Sequence, residues 1–158
     1  DDTLKGGAGN DTLNVDSGSD IITLLGGAGA GGEDDVLVVS NGATATAANI
    51  INFVATTGTT NAGTAILSVK SDNGVINMSQ ATGVFEIRSG AGTDTLVGGS
   101  GNDTFKILNA ESGQYEDVYL EYDYHSYMNF CLYKPKGLNH TGERYIEIFE
   151  NIKKFGKE

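Results

Sequence analysis

Four nine-residue units recur in two places along this chain, and each carries an aspartate at its sixth position and a large apolar residue at its eighth. Residues 6–14 read Gly6-Gly7-Ala8-Gly9-Asn10-Asp11-Thr12-Leu13-Asn14, and residues 15–23 follow with Asp20 and Ile22 in the same places. Residues 89–97 and 98–106 repeat the pattern with Asp94 and Leu96, then Asp103 and Phe105. A unit this short buries nothing alone. Stacked in successive coils, each apolar side chain lies on its equivalent in the next, so the beat demands a solenoid. The glycines allow turns through positive φ and leave backbone carbonyls uncovered.

The phase extends beyond these units. Asp2, Asp11 and Asp20 are nine apart, as are Leu4, Leu13 and Ile22. In the second array the apolar position reads Val69, Met78, Ile87, Leu96, Phe105, and the aspartate position reads Leu67, Ile76, Phe85, Asp94, Asp103. An unslipped phase predicts an apolar stem running into the second array. Carboxylates and carbonyls are hard oxygen ligands, of which Ca²⁺ takes about six to eight. The repeats hold no histidine or cysteine, which disfavours zinc and copper.

These residues resemble the RTX, or haemolysin-type, calcium-binding nonapeptide G-G-x-G-x-D-x-U-x, with U a large apolar residue. The resemblance covers residues 1–37 and 80–106 by motif, and residues 62–79 by periodicity. It implies an all-β fold, a parallel β-roll or β-solenoid with two nonapeptides per coil and Ca²⁺ between loops on one edge. The candidate metal residues it carries over are Asp2, Gly7, Gly9, Asp11, Gly18, Asp20, Asp34, Gly90, Gly92, Asp94, Gly99, Gly101 and Asp103. Calcium shared between alternate units would pair Asp2 with Asp20. Asp11 needs a partner beyond the phase break at Thr23. Residues 29–36 restore the pattern at Asp34, whereas a register through Gly26 and Gly27 needs an insertion before Asp35; the expected partner is Asp34. Asp94 and Asp103 would face Ile76 and Phe85, leaving their sites half-built.

Four segments are expected: a first roll array at 1–37, an Ala/Thr/Asn-rich extra coil at 38–61, a second array at 62–112, and a tyrosine-rich cap at 113–158. No charged residue occurs from Ser40 to Ile66, unusual for a disordered linker. All seven tyrosines, both histidines, Cys131 and Pro135 lie after residue 113. Alternation over 117–124 and 128–132 predicts a hairpin turning near His125, with a third strand or short helix at 145–155. A solenoid end needs such an atypical unit. The alternatives are an export signal for type I secretion machinery, or a foreign segment.

Net charge is −11 with pI about 4.4, which disfavours nucleic acid and anionic membrane. No stretch approaches the roughly 20 apolar residues of a membrane span. Gly27-Ala28-Gly29-Ala30-Gly31-Gly32 spells G-x-G-x-x-G, but Glu33, Asp34 and Asp35 follow where a dinucleotide site needs a helix N-terminus. Cys131, His125, His140 and Asp123 match no catalytic spacing, so no enzyme activity is expected here. One cysteine makes no internal disulfide. Loops of this kind suit the millimolar calcium outside cells, and the chain opens inside a repeat, as a piece of a larger polypeptide would. The expected function is a calcium-binding segment of a secreted or cell-surface bacterial protein, adhesin- or toxin-like. The alternative is an auxiliary domain of a secreted protease, lipase or epimerase.

Overall fold

The computed structural model describes residues 1–26, 34–70, 73–109, 112–117, 131–132 and 147–149. Every regular element among them is a β-strand. The first coil holds β1 (Thr3–Lys5) and β2 (Thr12–Val15), and the second holds β3 (Ser19–Thr23) and β4 (Val36–Val39). The third gains an extra strand, with β5 (Thr44–Ile50), β6 (Asn52–Val54) and β7 (Thr60–Asn61). The fourth repeats that plan with β8 (Thr64–Val69), β9 (Val75–Asn77) and β10 (Thr82–Gly83). β11 (Glu86–Arg88), β12 (Thr95–Val97) and β13 (Thr104–Leu108) carry the winding onward. β14 (Tyr115–Asp117), β15 (Cys131–Leu132) and β16 (Glu147–Phe149) lie at the far end.

The strands stack in three sheets, ordered β1-β3-β5-β8-β11-β13-β14, β10-β7-β4-β2 and β15-β16-β12-β9-β6. Pairing is parallel except for β14 on β13 and β15 on β16. The molecule is a parallel β-solenoid, as the nine-residue beat predicts. It is two-sided through the first two coils and three-sided after them.

Inward residues form ladders. In the long sheet Leu4, Ile22, Ala47, Leu67, Ile87 and Phe105 are successive partners, and Ala47, Leu67 and Ile87 are fully buried. Phe53, Ile76 and Leu96 make a second ladder, and Leu13 and Leu37 begin a third. Burying each such Leu, Ile or Phe side chain contributes roughly 1.5–3 kcal/mol.

The spacing of partners gives the coil lengths, and these correct the expected phase. One turn is 18 residues from Leu4 to Ile22, 25 from Ile22 to Ala47, 20 to Leu67, 20 to Ile87 and 18 to Phe105. The unslipped beat would put Val69 opposite Ile87 and Met78 opposite Leu96. Instead Leu67 and Ile76 occupy those places, and Val69 pairs with Ile50. A two-residue slip keeps every side chain on its own face, so the apolar pattern is unchanged by it.

The uncharged Ala/Thr/Asn-rich stretch builds a full three-stranded coil, β5 to β7. Its register shifts between Ala47 and Ile50, where Asn49 takes φ 62, and the bulge turns the chain into the new third face. Gly26, at φ 75, sits where a Cβ would strike the Asn52 carbonyl, so this corner needs glycine. At the other end β13 reverses into β14 through a turn in which Gly113 donates its N–H to the Asn109 carbonyl at 2.8 Å. That antiparallel strand occupies the edge of the long sheet, a usual device for blocking further pairing. The expected hairpin turn near His125 and the side chains of Cys131, Asp123 and His140 lie outside the described residues.

Candidate metal centre

Asp2, Asp11, Asp35, Asp94 and Asp103 each sit one residue before a strand, and Asp20 is the second residue of β3. Four of them do the same thing. Asp20 Oδ1 accepts the N–H of Asp2 at 2.8 Å, and Asp35 Oδ1 accepts that of Asp11 at 2.9 Å. Asp94 Oδ1 accepts from Gly74 at 2.9 Å, and Asp103 Oδ1 from Phe85 at 2.9 Å. The donor belongs to the preceding coil every time. A carboxylate therefore continues the ladder past the strand end, and a charged acceptor makes each bond stronger than a neutral one.

In the second array the second oxygen of each aspartate holds a further N–H. Asp94 Oδ2 accepts the Gly90 N–H at 2.8 Å, and Asp103 Oδ2 accepts the Gly99 N–H at 2.6 Å. Asp94 is 1% exposed. Burial pushes the Asp103 carboxyl above its usual value, and the N–H groups of Phe85 and Gly99 offset part of that rise. Gly90 and Gly99, expected to offer carbonyls, thus donate N–H groups to the carboxylates. Gly92 takes φ 85, and Gly101 lies against the Gly83 carbonyl.

In the first array two carboxylates share a corner. Asp11 Oδ2 is the buried side-chain oxygen without a hydrogen-bond partner among the described residues. A Cβ built on Gly6 would lie 3.4 Å from it, 3.5 Å from Asp35 Oδ2 and 2.5 Å from the Leu24 carbonyl oxygen. Three oxygens of two coils thus face one space that glycine leaves open. Leu24 supplies its carbonyl from φ 55, a left-handed conformation that costs a non-glycine residue roughly 1–2 kcal/mol. Asp35 Oδ2 also holds the Gly26 N–H at 2.6 Å, which fixes the carboxylate in place. On the opposite edge, Asp1 Oδ1 accepts the Ser19 N–H at 3.1 Å and lies, with Asp20 Oδ1, beside Gly18.

The register here corrects the expected partner of Asp11. Thr12 pairs with Val36, so Asp35 stands opposite Asp11 and the longer second coil absorbs the insertion. Asp34 is exposed, and its N–H reaches Asn10 Oδ1 at 3.0 Å. A one-residue slip flips a side chain to the other face, so only one of the two adjacent carboxylates can enter the corner. Asp94 is likewise opposite Gly74 rather than Ile76, whereas Asp103 faces Phe85 as expected. Asp2 does stand opposite Asp20. Gly7, Gly9 and Gly18 take φ 143, 98 and 79, the conformations for which the repeat reserves glycine. Sequence reasoning missed Asp1, Gly6 and the Leu24 carbonyl; carbonyl ligands leave no mark on residue type.

The donor set decides the ion. Among the described residues no group of three or more His, Cys, Asp or Glu side chains gathers. What the Asp11 corner offers is a carboxylate pair with a carbonyl, all hard oxygen, which fits Ca²⁺ and not the nitrogen and sulfur preference of zinc. An unbonded carboxylate oxygen beside a second carboxylate is costly to bury unless a cation neutralises it. Asp11, Asp35 and the Leu24 carbonyl are the residues that would hold the ion.

Comparison with known proteins agrees with this chemistry. A sequence model of the RTX calcium-binding nonapeptide repeat matches in four copies, over residues 1–32 and 86–105. No curated protein and no solved structure matches the chain. Asp35 lies just beyond the first matched segment, after Glu33 and Asp34. Repeats of this family bind calcium in a structural role in bacterial proteins, and the matched segments contain Asp2, Asp11, Asp20, Asp94 and Asp103. Over these two segments the chain matches RTX calcium-binding nonapeptide repeats, and it winds into a parallel β-solenoid.

Proposed function

We propose that this chain is a calcium-stabilised structural segment of a secreted or cell-surface bacterial protein of adhesin or toxin type, and that its work is mechanical and not catalytic. The observation that carries this reading is the Asp11–Asp35 corner: two carboxylates and the Leu24 carbonyl around a space kept open by Gly6, with one carboxylate oxygen buried and unbonded. Without a cation the two carboxylates repel one another across the coils. With Ca²⁺ bound, the charge is neutralised and two loops are fixed at once. The ion then adds RT ln(1 + [L]/Kd) to folding, about 2.7 kcal/mol at a hundredfold excess over Kd. Millimolar calcium outside cells suits such a site, and export before folding through type I secretion machinery is consistent with folding that waits for the ion. The uncharged Thr- and Ala-bearing coil from β5 to β7 supports an extender of a surface protein.

Isothermal titration of Ca²⁺ into chelator-treated protein tests the reading. Saturable binding that is lost in an Asp11→Asn, Asp35→Asn double variant is the expected result. A wild-type chain that takes up no calcium at millimolar concentration contradicts it.

A further inference from the structure

The repeat aspartates of the two arrays stand in different electrostatic surroundings. Residues 1–39 hold eight acids and one base, a net charge of −7; residues 40–109 hold four acids and three bases, a net charge of −1. In the first array the Asp11 and Asp35 carboxylates share the space beside Gly6, and those of Asp1 and Asp20 flank Gly18. In the second, Asp94 faces Gly74 and Asp103 faces Phe85, and among the described residues no second carboxylate stands opposite either. There, each carboxylate takes one N–H from the coil before and one from its own glycine turn. Asp35 takes two N–H groups in the same way, from Asp11 and Gly26. The Asp11 carboxylate that shares its space, however, keeps a buried oxygen with no donor among the described residues. It is this excess of acceptor that Asp94 and Asp103 do not meet.

We infer that Asp94 and Asp103 are metal-free clamps between coils, and that calcium therefore gates only the first two coils, which order against a stem already folded without it. This rests on the calcium reading above and adds where in the molecule the ion acts. The stem has the means to stand alone. Its core includes Phe53, Leu67, Ile76, Phe85, Ile87 and Leu96, all fully buried, and its end carries the antiparallel strand β14. β5 pairs directly with β3, so the folded stem presents a strand edge onto which the second coil registers once its carboxylates are neutralised. The result is a template with a calcium-set extension.

Hydrogen–deuterium exchange of the whole chain, read by mass spectrometry in chelator and in millimolar Ca²⁺, tests this. The expected result is stem amides in β8, β9, β11 and β12 protected equally in both conditions. Amides of β1 to β4 exchange in chelator and slow at least tenfold with calcium. Asp11→Asn removes the calcium response of β1 to β4 and leaves the stem unchanged. Asp94→Asn lowers the unfolding midpoint equally with and without calcium, while β1 to β4 keep their response. A stem that exchanges freely in chelator and is protected only by calcium overturns the inference while leaving calcium binding intact. A chain with no calcium-dependent protection anywhere overturns both.

Discussion

The first two coils and the stem are built from the same nine-residue grammar, yet they solve one problem in opposite ways. Each coil corner must satisfy backbone N–H groups beyond the strand end, and both regions use an aspartate for it. In the stem the aspartate meets glycine or phenylalanine across the coils, and its charge is spread over two N–H donors. In the first array Asp35 also holds two N–H groups. A second carboxylate, that of Asp11, shares its space, however, and one Asp11 oxygen is buried without a partner among the described residues. The repeat motif therefore specifies a corner acceptor everywhere. On the inference above, it specifies an ion site only where the neighbouring coil supplies a second carboxylate.

The sharpest way to break this contrast is to injure the stem core. Leu67 is fully buried between Ala47 and Ile87, so Leu67→Ala is expected to cost about 2–5 kcal/mol. Chemical denaturation should show the loss with calcium and in chelator alike, because the stem is the template for the rest. Gly6→Ala is next. Its Cβ would lie 2.5 Å from the Leu24 carbonyl and enter the oxygen-lined space, so the variant should lose most of the calcium-induced rise in stability, about 2.7 kcal/mol at a hundredfold excess over Kd. The stem strands should remain protected.

Adjacent residues then sharpen the comparison. Asp35→Asn should weaken calcium binding at least tenfold, about 1.4 kcal/mol or more, whereas Asp34→Asn, on the exposed side, should stay within roughly 0.5 kcal/mol of wild type. Calcium titration of the two variants distinguishes them directly. The smallest effect is the dependence of the stem on pH. Asp103 has its carboxyl raised above the usual value of 3.8 by burial. A raised folded-state value means that its contribution is complete below the unfolded value and is lost as pH rises through the folded one. In chelator the stem should therefore gain from Asp103 as pH falls from neutral toward that window. Comparing thermal midpoints of wild type and Asp103→Asn across the range isolates this contribution.

The solenoid, its parallel stacking and the corner position of the aspartates were legible in the sequence because period, glycine placement and apolar ladder all agree there. Two details were not. The stem coils are 20 residues long, and their two-residue slip preserves the alternation of faces, so Val69 and Met78 look as good as Leu67 and Ile76. Asp34 and Asp35 are adjacent acids after a glycine-rich insertion, and only the pairing of Thr12 with Val36 decides which one turns inward. The third face of the solenoid is also silent in the repeat, since it arises from the bulge at Asn49 and the corner at Gly26, outside any nonapeptide.

A structure determined by crystallography in millimolar calcium, with the ion located by its anomalous signal, bears most directly on the central claim. The account predicts an ion between the first two coils, with Asp11, Asp35 and the Leu24 carbonyl as ligands at about 2.3–2.6 Å, and Asp94 still holding the N–H groups of Gly74 and Gly90. Calcium on Asp94 or Asp103, with none at the Asp11–Asp35 corner, would contradict it.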